Sequence, residues 1–428
     1  MGDDFNRPIE RGTLPDTLTL LDLGLKFNQV LEPHSLPSSI QVLKLGLDYN
    51  RPILPNVIPS GVKGFKLSDY FDQSIQVGTL PSTITHFYFG DNAGSLPQNL
   101  KHLVFGSHFD QPIANVIPDS TTHITFGYYF NRHLYPYDIP ESVLSITFSH
   151  NFNQSLPLNT IPSKVTEIKF GSNFNQVLIP NSLPNTLESL CFGELFNQQL
   201  HAGQLPNSIT SLTFGSNFDQ TLHPSVLPAS LKTLVFGNNF NSPLKKGSLP
   251  MGLVQLSFGT NFNQPIRQGV LPESLERILF GDGFNQKIDG ILPESLTQLS
   301  FGFDFNQPIA RLPNKLVSIS FGGSFIKTIP SGVLCPSITS LIVSPQFFDF
   351  NPLESLPITV TNILVSLQID YVNIRRFSAN ETLALTSRFI GGFVNTSKLK
   401  RLLLQEEDSN NPYEYFDNSN TNYDCDDY

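Results

Sequence analysis

Along most of the chain, hydrophobic positions recur in one fixed phrase that starts at a Leu-Pro or Ile-Pro pair. In the copy at Leu227-Pro228, apolar residues occupy the third, sixth and eighth places after the proline: Leu231, Leu234 and Phe236. The sixth and eighth are one residue apart, the spacing of a short strand with both side chains turned inward. Gly237 follows, and a turn leads to Phe240-Asn241. An aromatic residue followed by Asn or Asp appears at this place fourteen times, from Phe5-Asn6 to Phe305-Asn306. Two degenerate copies stand at Phe325-Ile326 and Phe347-Phe348.

The anchoring proline runs from Pro15 to Pro357, with Cys335 standing in for it once. Twelve of the sixteen intervals are 22 residues, and the others are 16, 21, 21 and 20. A fixed period of this length marks a repeat array, because one such coil cannot bury its own apolar face and must stack on its neighbours. The expected fold is mainly β, a solenoid of about 17 coils whose strands form a continuous parallel sheet at ~4.8 Å spacing. A Phe repeated at one place then builds an aromatic spine. The Asn or Asp beside it supplies an acceptor for backbone N–H groups in the turn. Fourteen copies of the pair cannot all be a binding site, so the pair is read as structural.

Units such as residues 249–266 and 292–309 approximate Leu-Pro-x-Ser-Leu-x-x-Leu-x-Phe-Gly-x-x-Phe-Asn-Gln-Pro-Ile. They resemble the FNIP repeat, of the kind typical of social amoebae and some giant viruses, and the likeness runs from residue 5 to about 365. The resemblance implies a relative of leucine-rich repeats, a curved right-handed solenoid with a parallel sheet on one face. One departure is local. A leucine-rich repeat places its Asn eight residues after the first Leu, whereas Asn241 stands ten after Leu231, so the turn geometry does not carry over. Many members of the family also carry an F-box-like segment ahead of the array. The alternative reading, a substrate receptor of a ubiquitin ligase, therefore requires a segment that is absent or divergent before Phe5.

The period ends after Val360, Ile363 and Val365, which divides the chain into a repeat solenoid over 1–365, a cap over 366–404 and a tail over 405–428. In the cap, Leu367, Ile369 and Tyr371 alternate as one more strand, and residues 397–404 read as a short helix. After Arg401 there are eight acids and no Lys or Arg, so the tail is expected to be disordered. Ahead of it 26 bases face 28 acids, which gives no electrostatic footprint for nucleic acid. The three cysteines form no framework of paired spacings, the N-terminus has no apolar signal core, and no apolar run has membrane length. A cytoplasmic protein with no membrane partner is the default expectation.

Catalytic signatures are missing: no P-loop, dinucleotide fingerprint, H-E-x-x-H, C-x-x-C or G-x-S-x-G occurs. The chain is therefore read as a non-enzyme without cofactor or bound metal, a scaffold for a protein or peptide partner. The fifth and seventh positions after the anchor should face outward on the sheet, the surface that solenoids use for binding. Most fifth positions hold Ser, Thr or Gln, but three consecutive repeats hold His86, His102 and His123. Lys44, Lys63, Lys66, Tyr88 and Lys101 fall around them, while further along the face turns to Thr147, Thr213, Ser257, Ser300 and Ser320. The bland alternative is neutral drift of exposed positions. A shared transition metal between neighbouring imidazoles is a weaker reading than a partner contact, since no Cys or carboxylate joins the column. The 16-residue interval between Pro81 and Pro97 lies inside this patch and leaves a kink, a notch or a lost register open.

Overall fold

The computed structural model describes residues 1–90, 96–367, 371–378, 381–386 and 391–395. The expected helix over 397–404 and the acidic tail lie outside the described residues. Two compact units are present, one holding Met1–Gln198 and Gly203–Ile209, the other Gln199–Ala202 and Thr210 onward. In the first, strands β1 (Leu20–Asp22), β2 (Val42–Lys44), β3 (Gly64–Lys66), β4 (His86–Phe89) and β5 (His102–Phe105) follow in order. They continue as β6 (His123–Thr125), β7 (Ser145–Thr147), β8 (Glu167–Lys169) and β9 (Ser189–Cys191). Each pairs in parallel with the next, as in Leu43 opposite Phe65 and Ile146 opposite Ile168. The second unit repeats the plan through β10 (Ser211–Thr213), β11 (Thr233–Val235), β12 (Gln255–Ser257), β13 (Arg277–Leu279) and β14 (Gln298–Ser300). It adds β15 (Ser318–Ser320), β16 (Ser340–Val343) and β17 (Asn362–Ser366), again parallel. Among the described residues helix is confined to single short turns at Phe347–Phe350 and Leu353–Ser355.

Each conserved letter of the phrase has a physical task. The proline carbonyl closes a turn by accepting the N–H three residues on, as in Leu231 to Pro228 at 3.2 Å. The Ser or Thr two residues after the proline donates to a carbonyl of the preceding coil. Ser39 reaches Leu18 at 2.7 Å, Ser208 reaches Leu187 at 2.6 Å and Ser274 reaches Leu253 at 2.6 Å. The third, sixth and eighth positions are the core, with Leu231 and Leu234 fully enclosed and Phe236 nearly so. Glycine follows the strand because coils touch there. A Cβ on Gly237 would stand 2.1 Å from the Gly215 carbonyl oxygen, well inside contact distance.

The aromatic spine is double. Where the strand ends in Phe, that ring stacks on the Phe of the following pair, as in Phe170–Phe174 at 3.8 Å and Phe236–Phe240 at 3.8 Å. Successive coils then stack these pairs, for example Phe174–Phe196 at 6.2 Å and Phe240–Phe262 at 5.8 Å. The first coils carry Leu23, Leu45 and Leu67 at the strand end, so only one column, Phe5–Phe27–Tyr49–Phe71, runs through them.

The Asn of the pair acts as an acceptor, as the sequence suggests, but at a partly exposed edge and not in a buried turn. Asn153 Oδ1 takes the N–H of Asn175 at 2.9 Å, and Asn175 Oδ1 takes that of Asn197 at 2.9 Å. The glutamine after the pair donates to the same oxygen, with Gln198 Nε2 3.1 Å from Asn175 Oδ1. The second unit repeats this at Asn263, which accepts from Asn285 at 3.0 Å and from Gln286 at 2.9 Å. At Asp110 the carboxylate keeps the backbone bond, 3.0 Å from the Asn131 nitrogen, and Arg132 replaces the glutamine in an ion pair at 3.0 Å.

Three residues before most anchors the chain turns through the left-handed region. Gly78, Gly203 and Gly247 occupy it with φ of 82°, 86° and 85°, and Asn115 and Asn159 with 58° and 64°. Tyr137 adopts φ of 72° there although it is 79% exposed and bulky. Beyond the last parallel pair the sheet changes sense. Strands β18 (Tyr371–Arg376), β19 (Glu381–Thr386) and β20 (Gly391–Asn395) run antiparallel in sequence from β17. The single strand expected over Leu367–Tyr371 is corrected: Leu367 falls between β17 and β18, Tyr371 opens β18, and Ile369 is outside the described residues. Buried Arg376 ties β18 to the final coil by donating to the carbonyls of Leu356 and Pro357, each at 3.1 Å. Cys335 is a buried free thiol, and Cys191 is buried at the end of β9.

Two stability predictions follow from the ladder and the turn. Asn175→Ala strands the Asn197 N–H and should lower stability by about 1–2 kcal/mol, whereas Asn175→Asp keeps the acceptor and should cost clearly less. Urea midpoints of the two variants check the order. Tyr137→Asn, the choice made in the two flanking coils, should raise stability by up to about 1 kcal/mol, and with it the midpoint, because Asn tolerates the left-handed region.

Candidate functional site

Parallel pairing in register decides which side chains meet on the sheet face, and it aligns the three histidines as the sequence spacing requires. His86 stands opposite His102, and His102 opposite His123. Their rings stack face to face, with centroids 4.3 Å and 4.2 Å apart and interplanar angles of 6° and 15°. The 16-residue interval does not disturb this register. It shortens the segment after β4, where the aromatic pair is missing, while anchor and strand stay in place. Phe89 fills the core there, meeting Phe105 and Phe109 edge-on at 6.1 Å and 6.0 Å.

A second column lies two residues further along each strand. Lys44, Lys66 and Tyr88 follow one another across β2, β3 and β4, and the column continues into Val104 and Thr125. Lys66 Nζ sits 4.4 Å from the centre of the Tyr88 ring, a cation–π contact. Lys44 lies at the margin and pairs with Asp22 at 3.6 Å. Lys63 and Lys101 stand one residue before β3 and β5, at the fourth place after the anchor, and both are exposed. Lys101 Nζ donates to the Ser120 carbonyl at 3.1 Å. All eight residues singled out in the sequence therefore belong to one unit, with His86, His102, His123, Lys66 and Tyr88 on adjoining strands.

Local hydrogen bonds set the state of the outer imidazoles. Thr85 Oγ1 is 3.0 Å from His86 Nδ1, and Thr122 Oγ1 is 2.9 Å from His123 Nδ1. Each hydroxyl also donates to a main-chain carbonyl, Thr85 to Lys63 at 3.4 Å and Thr122 to Lys101 at 3.1 Å. A hydroxyl has one proton, so toward the imidazole it accepts. Nδ1 is then the donor, which leaves Nε2 as the acceptor. The central ring behaves differently. Burial first, then the neighbouring His123 and His86, push the His102 pKa below the ordinary 6.5. Parallel rings at this spacing do not converge their nitrogens on one point, which disfavours the shared-metal reading. Among the described residues no group of three or more His, Cys, Asp or Glu is arranged to hold a metal.

A further cluster escaped the sequence reading. In the turn between strand and aromatic pair, His108 stacks on Tyr129 at 5.1 Å and on Tyr70 at 6.0 Å. Tyr128 stacks on His150 at 4.4 Å and meets Tyr129 edge-on at 4.9 Å. The available signal was positional, since the corresponding places in later coils hold small polar residues such as Ser172 and Asn173.

A parallel-sheet solenoid with single-turn outer segments and a polar face built from strand columns is a protein of the leucine-rich-repeat type. The chain belongs to the FNIP Repeat family, whose model matches nine segments between residues 5 and 324, the first ones overlapping. Among solved structures, the chain is similar to CroV588, described as a novel circular LRR protein, at 37% identity and a TM-score of 0.76. That likeness covers 84% of this chain and 58% of CroV588, so the chain spans less than two thirds of its length. YopM from Yersinia enterocolitica WA-314 is similar at 18% identity with a TM-score of 0.44, over 78% of this chain and 76% of that one. No curated protein matches the chain. Among the described residues no helix is long and apolar enough to cross a membrane.

The histidine stack is open to direct titration. His102 should protonate below about 6.5, and His123→Ser should move it upward by removing a like charge from its face. Imidazole chemical shifts followed across the acid range would show both. The sign for stability follows: a ring whose folded pKa is depressed disfavours the fold as pH falls below the unfolded value.

Proposed function

We propose that this protein is a non-catalytic scaffold that holds a protein or peptide partner on the sheet face of its first unit. The observation that carries this reading is the composition of the columns across β3 to β6. The fourth, fifth and seventh positions there are Lys63, Gly64, Lys66; Thr85, His86, Tyr88; Lys101, His102, Val104; and Thr122, His123, Thr125. These twelve places hold three lysines, three histidines, one tyrosine and no acid. Further along the face, Thr147, Thr213, Ser257, Ser300 and Ser320 are partly exposed hydroxyl residues, and the charged places at Glu167, Lys169 and Arg277 mix both signs. Membership of a leucine-rich-repeat type family supports a scaffold role, because such arrays present an extended surface for partners.

Tyrosine and histidine offer flat, rigid contact area with polar ends at small entropic cost, and lysines add steering for an acidic partner. Substituting Lys66, Tyr88 and Lys101 together by Ser should abolish recovery of partners by the full-length chain. Substituting Ser257, Ser300 and Ser320 by Ala on the second unit should leave it intact. Affinity capture with quantitative mass spectrometry measures both, and equal recovery by the two variants would remove this face as the binding surface.

A further inference from the structure

The scaffold reading leaves the chemistry of the partner open, and the histidine stack narrows it. Three imidazoles held face to face cannot all be charged without cost. Two unit charges about 4 Å apart repel, and more strongly at a protein surface than in water. His102 carries the greatest share of this, because it has a ring on each side and is half-buried. Charging all three rings at once is therefore disfavoured, most of all at His102. On the outer two, Nδ1 is spent on threonine, so Nε2 carries a lone pair. A lone pair repels a carboxylate, whereas the same nitrogen once protonated donates to it. Every titrating ring thus changes sign of interaction with an anion, from acceptor against acceptor to charge-assisted donor.

Charges on the neighbouring elements favour an anion. Lys66 on β3 faces Tyr88, Lys63 precedes β3, and Lys101 precedes β5. On the far side, Ser145 of β7 donates to Glu167 of β8 at 3.0 Å, and Lys169 pairs with that carboxylate at 3.6 Å. Asp22 of β1 is matched by Lys44. Asp69 lies in the turn after β3 and Asp119 in the turn before β6, off the strand columns. The patch crosses the adjoining strands β3 to β6, so a segment that reaches both the lysines and the stack has to lie extended across them. An anion laid over the stack would also offset the mutual repulsion that opposes charging it, so that binding and protonation assist each other.

We infer that the partner segment is an extended acidic peptide, and that the His86–His102–His123 stack takes up protons as it binds. The inference rests on the scaffold reading and gives that same surface its ligand class and its pH response. Affinity is fully expressed where the rings are protonated in the complex, and it falls as pH rises through the bound-state pKa values.

The test uses the full chain and a fluorescein-labelled nonapeptide with Glu at alternate positions and Ser between, with Gln in place of Glu as control. Anisotropy titrations at constant ionic strength compare pH about 7.5 with about 5.5, a window that brackets ordinary histidine titration. The expected result is a gain of about tenfold or more for the Glu peptide, the equivalent of at least one pKa unit, and none for the Gln peptide. Calorimetry in two buffers of different ionisation enthalpy should show net proton uptake. His86→Ser, His102→Ser and His123→Ser combined should flatten the pH response while keeping some binding through the lysines. Lys63→Ser with Lys101→Ser should weaken binding at both pH values and keep the slope. Circular dichroism melts confirm that the variants fold. A pH response retained in the histidine variant overturns the proposal, as does an equal gain for the Gln peptide. Displacement of the Glu peptide by oligouridylate as effectively as by unlabelled peptide overturns it in favour of nucleic acid. Should the Glu peptide fail to bind while the Lys66, Tyr88 and Lys101 variant still loses partners, the acidic-segment inference alone falls. If that variant keeps its partners, the scaffold reading falls first.

Discussion

Satisfying each coil's backbone and polar side chains on the equivalent groups of the next coil is the constraint from which the rest of this structure follows. A three-residue strand makes too few hydrogen bonds to hold a register alone. Here it is reinforced in most coils by the hydroxyl two residues after the proline, by the amide of the aromatic pair, or by both. Ser208 bonding to Leu187 and Asn175 accepting from Asn197 are both spaced one repeat apart. Slippage by even one residue would break all three ladders together and turn the enclosed leucines outward. The same constraint explains glycine after the strand, where Gly237 approaches the Gly215 carbonyl too closely for any side chain without a shift.

Exact register has a functional consequence. In an irregular protein, a histidine drifting into a surface position meets unrelated neighbours. In this array, each substitution joins a column whose members stand one strand apart, so three changes at one place create a continuous stack. The centroid distances of 4.3 Å and 4.2 Å are shorter than those along the phenylalanine columns, such as 6.2 Å between Phe174 and Phe196. Side chains on the sheet face stand close because the strands do, whereas rings in the core must accommodate the wider spacing of the turns.

Much of this was legible in the sequence because the period was. Proline spacing located every parallel strand, and alternation after the anchor named the core: Leu231, Leu234 and Phe236 are all enclosed. The histidine column was legible for the same reason, being a fixed offset from the anchor. Features that depend on which polar atom reaches which were not. Neither the serine after the proline nor the glutamine after the pair has a role readable from spacing, because only the structure shows which oxygen of the neighbouring coil each one reaches. The second phenylalanine column was hidden because both rings lie within one coil, and sequence spacing alone does not say that positions four apart in a turn will stack. Beyond Val365 the period stops, and with it the source of inference. An antiparallel meander anchored by buried Arg376 has no repeated signal from which to read it.

The short repeat shows which half of a coil is indispensable. Between Pro81 and Pro97 six residues and the aromatic pair are missing, yet β4 keeps its partners on both sides. Anchor turn and strand survive because their bonds run to the neighbouring coils and do not depend on the outer segment. Thr85 and His86 still donate to the Lys63 carbonyl, and Lys101 and His102 to that of Thr85. What the deletion removes is the amide ladder at that coil, and edge-on packing of Phe89 against Phe105 and Phe109 fills the core in place of the lost ring. The outer segment can therefore vary while the sheet face stays continuous. That separation lets an array of this kind carry a surface patch across a truncated coil, and it places the histidine stack on the one part of the repeat that the truncation leaves unchanged.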